Sequence, residues 1–157
     1  MMVPVFRLAV FFALITSVFA AGTLDALVNA AQGFALAIQQ QLVAVQSITT
    51  PAELAEKTIS YAAAKTAYYE ALRTAAPELT AIATGKKPRP PEVDLFAQSL
   101  GVAGEKQERV VDEATAVLLS KLPLDSDIQR AKAAFDQAQA VEEGFQRDFN
   151  GVDFTNR

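Results

Sequence analysis

Three tyrosines and a lysine crowd into two helical turns of this chain: Tyr61, Lys65, Tyr68 and Tyr69. Tyr61 and Tyr68 are seven apart and so share a helix face, where their phenols could line a pocket between helices for a small aromatic or apolar ligand. The plainer expectation is packing, with each ring buried and its hydroxyl turned to solvent or a carbonyl. Carboxylates come in pairs: Glu53/Glu56, Glu105/Glu108, Asp112/Glu113, Asp125/Asp127 and Glu142/Glu143. Two carboxylates can perform acid–base catalysis when apolar surroundings raise the pKa of one of them. Each pair here opens a helix or stands beside Lys and Arg, as in Glu105-Lys106-Gln107-Glu108-Arg109. That is the pattern of a solvated helix face, and exposure is expected for all five.

Other chemistry is limited by missing residue types. The chain has no Cys, His or Trp, which removes disulfides, Cys–His nucleophiles, histidine acid–base catalysis and Cys or His metal sites. The di-metal carboxylate sites of helical bundles need Glu-x-x-His and fall with them. Asp148-Phe149-Asn150-Gly151-Val152-Asp153 lacks the sixth-position glycine of a calcium loop and reads as a helix-ending turn. Ser120 beside Lys121 has no further partner, and no glycine-rich phosphate loop is present. No catalytic residue, cofactor or metal is expected.

The elements that would position these groups are helices. Leu24, Val28, Ala31, Ala35, Ile38, Leu42 and Val45 alternate steps of four and three, which predicts a helix over about 24–46 with Thr23 as N-cap. No charged side chain occurs from Ala26 through Ala52. A stretch so free of charge suits either the central helix of a bundle or a face that meets a partner. Leu27, Phe34 and Gln41 of this helix, with Tyr61, Tyr68 and Tyr69, are the residues expected to form a ligand or partner surface.

Thr50-Pro51-Ala52-Glu53 is a capping box and opens a second helix over about 51–84. Its stripe is Leu54, Tyr61, Lys65, Tyr68, Leu72, Ala75, Leu79 and Ile82, and Pro77 should kink or restart it. Residues 85–91, with three basic residues and three prolines, form a linker. A third helix over about 92–121 carries Phe96, Leu100, Ala103, Val110, Ala114 and Val117 on its apolar stripe, and Gly101 and Gly104 could split it. Ser126-Asp127-Ile128-Gln129 reads as a cap for a fourth, 126–149, whose inner face is Ile128, Ala131, Phe135, Ala138, Phe145 and Phe149. Residues 152–157 should fray.

Ahead of these helices, one arginine, Arg7, precedes an apolar run that ends Val18-Phe19-Ala20. This is the form of a cleaved signal peptide over residues 1–20, too short to span a bilayer, and it implies a secreted or periplasmic protein with no transmembrane segment after processing. In a chain of 157 residues, what remains is one domain over about 21–151. Acidity gathers in its second half: residues 22–90 carry six basic and five acidic groups, residues 91–157 seven and thirteen. Nucleic acid, which needs a basic face, is not an expected partner.

The fold expected is all-α: an antiparallel four-helix bundle of the up-down type with left-handed packing. The function expected is non-catalytic: surface interaction with an unknown protein or surface, or self-association into a homo-oligomer. The alternative is a carrier that holds a small apolar ligand or hydrophobic surface between or along its helices. In composition the chain is similar to fungal secreted proteins that adsorb to hydrophobic surfaces, a likeness attached to no motif.

Overall fold

The computed structural model describes residues 22–47, 50–150, 152 and 154, the side chains of 102 and 103 excepted. The expected signal peptide lies outside the described residues. Within them the chain is all-helical: α1 (Thr23–Ser47), α2 (Pro51–Ala83), a short α3 (Pro91–Ser99), α4 (Val102–Lys121) and α5 (Ser126–Asp148). The four long helices pack together.

Local chemistry sets the ends. Thr50 accepts a hydrogen bond from the Glu53 amide at 3.1 Å, with Pro51 in the first turn, as the capping box predicts. The far end of α2 closes on Gly85, at φ +78°, where the Gly85 amide donates to the Ile82 carbonyl and the Lys86 amide to that of Ala81. That crossed pair of bonds requires a left-handed residue, which glycine supplies without steric cost. The α2 helix continues through Pro77 without a restart.

Two expected caps are replaced. Asp125, not Ser126, caps α5 by accepting from the Ile128 amide at 2.9 Å. Thr23 lies within α1 and donates its hydroxyl to Glu78 at 2.7 Å, joining the start of α1 to the end of α2. The third predicted helix is two, α3 and α4, separated at Leu100 and Gly101. Leaving the helical conformation lets Leu100 turn into the core. A Cβ at Gly104 would stand 3.1 Å from the Leu100 side chain, so a larger residue there would crowd it.

Packing then decides which face each helix buries. α2 meets both α1 and α5, and α1 meets α2, α3 and α4. α1, without a charged side chain after Asp25, is thus touched on several sides. Its buried residues are Leu24, Leu27, Val28, Ala31, Phe34, Ile38, Gln41 and Ala44: Leu24, Val28, Ala31 and Ile38 keep the predicted seam, and towards the end of the helix the line turns so that Gln41 and Ala44 replace Leu42 and Val45. On α5 the predicted inner face is the observed one, with Phe149 half-buried. On α4 it is not: Val110 and Val117 are 55% and 49% exposed, while Glu108, Val111, Thr115 and Leu119 face inward. No helix among the described residues is long and apolar enough to cross a membrane.

Candidate functional site

The displaced face of α4 carries the least expected feature of the molecule. Lys65, at the middle of α2, is completely buried. A buried ammonium must be paired, and its Nζ meets Glu108 at 3.2 Å and Asp112 at 2.7 Å from α4, and Glu142 at 2.5 Å from α5. It also donates to the side-chain oxygen of Gln139. Helical spacing explains the set: Glu108 and Asp112 are four apart on α4, Gln139 and Glu142 three apart on α5, so each pair shares one face.

Two of the three tyrosines join this cluster. Tyr61 donates to Asp112 at 2.6 Å, and Tyr69 donates to both oxygens of Glu108, at 3.3 and 3.1 Å. Their hydroxyls therefore turn to carboxylates, not to solvent or carbonyls. Glu108, Asp112 and Glu142, expected on solvated faces, are the polar interior; the reason is that Lys65 needs counter-charge and only α4 and α5 bring it within reach. Glu108 is 4% exposed.

With all three carboxylates ionised, the cluster would carry an excess of two negative charges. Burial, and then the neighbouring Glu142, push the Glu108 carboxyl up from 4.5 to about 7, against the pull of Lys65. Burial works against the charge on Lys65, but the fields of Glu108 and Asp112 outweigh it and hold its pKa above the ordinary lysine value. Burial, with the nearby carboxylates, drives both tyrosines upward: Asp112 leads for Tyr61, Glu108 for Tyr69. Both phenols and the ammonium keep their protons at neutral pH.

This geometry limits the chemistry. Lys65 is a charged donor and not a nucleophile. The oxygens of Glu108, Asp112 and Glu142 lie within 4.8 Å of one another, close enough to hold a metal ion, but the ammonium sits among them and takes that place. Glu108 has the raised pKa of a general acid and reaches the open space beyond Tyr69, but Asp112 and Glu142 face Lys65 and do not line that space, so the cluster offers no second carboxylate there.

The open space is on the other side of Tyr69. A pocket of about 540 Å³ at this end of the bundle is walled by Tyr68, Tyr69, Phe96, Phe145, Phe149 and Phe154, with Leu72 and Leu100. Glu105 and Glu108 also line it. The rings form a connected set: Tyr68 meets Tyr69 at 4.9 Å between centroids, Tyr69 meets Phe145 at 5.8 Å, and Phe145 stacks on Phe149 at 4.8 Å. Phe154, from the segment expected to fray, lies 5.6 Å from Phe149.

The six residues expected to form a ligand or partner surface are all buried. Phe34 brings four of them together, its ring 5.8, 5.2 and 6.2 Å from those of Tyr61, Tyr68 and Tyr69. Of the six, only Tyr68 and Tyr69 reach the aromatic pocket. Leu27 is core. Gln41 donates to Thr58 at 3.0 Å and to Thr115 at 3.2 Å, while its side-chain oxygen has no partner among the described residues. No protein-family model, curated protein or solved structure matches this chain.

Proposed function

We propose that this protein is a non-catalytic carrier that holds a small apolar ligand in the aromatic pocket between α2, α3, α4 and the end of α5. The observation that carries the reading is the pocket itself: its volume falls within the roughly 300–1,000 Å³ typical of ligand sites, and nine of the thirteen described residues that line it are aromatic or aliphatic. Engagement of every proton on Lys65 supports a binding role over a catalytic one. We further propose that residues 1–20 are an export signal and that the carrier works outside the cytosol, secreted or periplasmic. The four long helices are proposed to alternate in direction. Contacts of Thr23 with Glu78 and of Gln41 with Thr58 support opposite directions for α1 and α2, and those of Tyr61 with Asp112 and Tyr69 with Glu108 do so for α2 and α4.

Displacement of a fluorescent naphthalene dye from the protein tests the pocket. The dye should bind at one site and raise the melting midpoint, as any ligand of the native state must, and Phe145→Ala should weaken it about tenfold or more. A dye bound as well by Phe145→Ala as by the parent would place it elsewhere, and failure of a panel of apolar ligands to bind would refute the carrier.

A second reading is supported by Leu36 and Val43, seven apart on α1 and 59% and 61% exposed. Large apolar side chains repeated on one exposed helix face suit self-association or adsorption to an apolar surface. Sedimentation across a concentration series decides it: a strict monomer, unchanged by Leu36→Lys with Val43→Lys, would remove the self-association form.

A further inference from the structure

Among the described residues, the charged side chains that line the pocket are of one sign. Glu105 and Glu108, three apart on α4, both line it, and no Lys or Arg stands among the described lining residues. Arg73 lies over the Phe149 ring at 5.7 Å but is engaged by Asp148 at 2.8 Å. Behind Glu108 stand Asp112 and Glu142, with Lys65 as the single cation among the described residues that reaches the three. Glu108 accepts from Lys65 and Tyr69, and a carboxylate has room for about four donors.

Aromatic faces add to this field. A cation within about 6 Å of a ring centroid is attracted by the ring's electron-rich face, more strongly when water is excluded. An anion in the same place meets two carboxylates and the same rings with the opposite sign. From the Glu108 carboxylate, the rings and the lack of a cation among the described lining residues, we infer that the pocket selects an apolar ligand with a cationic head, an alkyl or aryl amine or quaternary ammonium, whose charge sits between Glu108 and the rings of Tyr69 and Phe145. This rests on the carrier reading and deepens it by naming the ligand class. A bound cation would offset the unbalanced negative charge of the Lys65 cluster, which a fatty acid or a neutral alcohol cannot do.

The test compares three probes with one tail: dodecyltrimethylammonium, dodecanol and dodecanoate, each titrated calorimetrically into the intact protein below its micelle-forming concentration. The ammonium should bind about tenfold or more tighter than the alcohol, a difference of about 1.4 kcal/mol, and dodecanoate weakest. In Glu108→Gln the ammonium should fall to within about threefold of the alcohol. Should that variant not fold, Glu105→Gln and the pH dependence of the parent serve instead. Glu108 faces Lys65, Tyr61 and Tyr69 on α2, Glu142 on α5 and Asp112 on its own helix. As pH falls from 8 to 5 it gains a proton, so ammonium affinity should drop while alcohol affinity holds. Equal binding of all three probes, or tightest binding of dodecanoate, overturns the cation preference and leaves the carrier standing. No binding by any probe overturns both.

Discussion

Replacing Lys65 by Met keeps the unbranched shape of the side chain, one atom shorter, and removes its charge, leaving Glu108, Asp112 and Glu142 around an apolar thioether. The magnitude follows from the contacts. Lys65 is fully buried and reaches three carboxylates at 3.2 Å or less. Removing one partner of a buried charge network typically costs about 3–5 kcal/mol, and here the survivors also repel one another within 4.8 Å. Against a domain stability of about 5–15 kcal/mol, that is a large fraction. The cost should depend on pH. Without the ammonium the folded carboxylates hold protons more tightly than in the unfolded chain, so the native state binds more protons, and stability falls as pH rises from 5 to 8. Urea unfolding followed by helical circular dichroism at both values gives the midpoints. Adding Glu108→Gln and Glu142→Gln to Lys65→Met should recover most of the loss at pH 8. A loss below about 1 kcal/mol at pH 8, or one that does not change with pH, would refute the assignment of Lys65 as the counter-charge of this core.

In the parent protein Glu108 titrates at about 7 in the fold against an ordinary 4.5, so its contribution is present below about 4.5 and lost as pH rises through 7. The gap corresponds to about 3 kcal/mol, readable as a fall in urea midpoint between pH 4.5 and 8 that Glu108→Gln should flatten. A second decline is expected above pH 10, where the unfolded chain releases protons that Tyr61, Tyr69 and Lys65 retain in the fold; absorbance of tyrosinate should appear together with unfolding and not before it. Val110→Lys with Val117→Lys should change stability by less than about 1 kcal/mol, because both positions are exposed, and a loss of several kcal/mol by chemical denaturation would place them in the core. Gln41→Leu should be neutral or stabilising within about 1 kcal/mol, since it deletes a buried acceptor that has no partner among the described residues, and the freed Thr58 and Thr115 hydroxyls can turn to carbonyls of their own helices.

Periodicity and caps made the helices legible. Thr50-Pro51-Ala52-Glu53 fixed the start of α2, and the phenylalanines of α5 fixed its inner face, because both signals are local to one helix. The seams of α1 and α4 were harder for one reason. Choosing the most apolar line on each helix favours Leu42 over Gln41 and Val110 over Glu108, whereas burial is decided by what the opposing helix presents. Gln41 is drawn inward by Thr58 and Thr115, and Glu108 by Lys65 and Tyr69. One sign of this was already present: Lys65 stands on the apolar stripe of α2 between Tyr61 and Tyr68. A lysine buried there must meet carboxylates from facing helices, which points to acidic residues spaced four apart, such as Glu108 and Asp112, in place of the pattern of exposed pairs.

The polar cluster also explains how a chain without cysteine or histidine can fix the rotation of its helices. Apolar contacts alone would let α4 present Val110 and Val117 inward almost as readily as Val111 and Leu119, since both lines are aliphatic and of similar spacing. The ammonium of Lys65 separates the two arrangements, because turning the valines inward would strand a buried charge, a cost of several kcal/mol. The same rotation places Glu105 and Glu108 in the wall of the aromatic pocket. The charge pairing in the core and the charge in the pocket wall therefore have one origin, and a substitution that relaxes the first should alter the second.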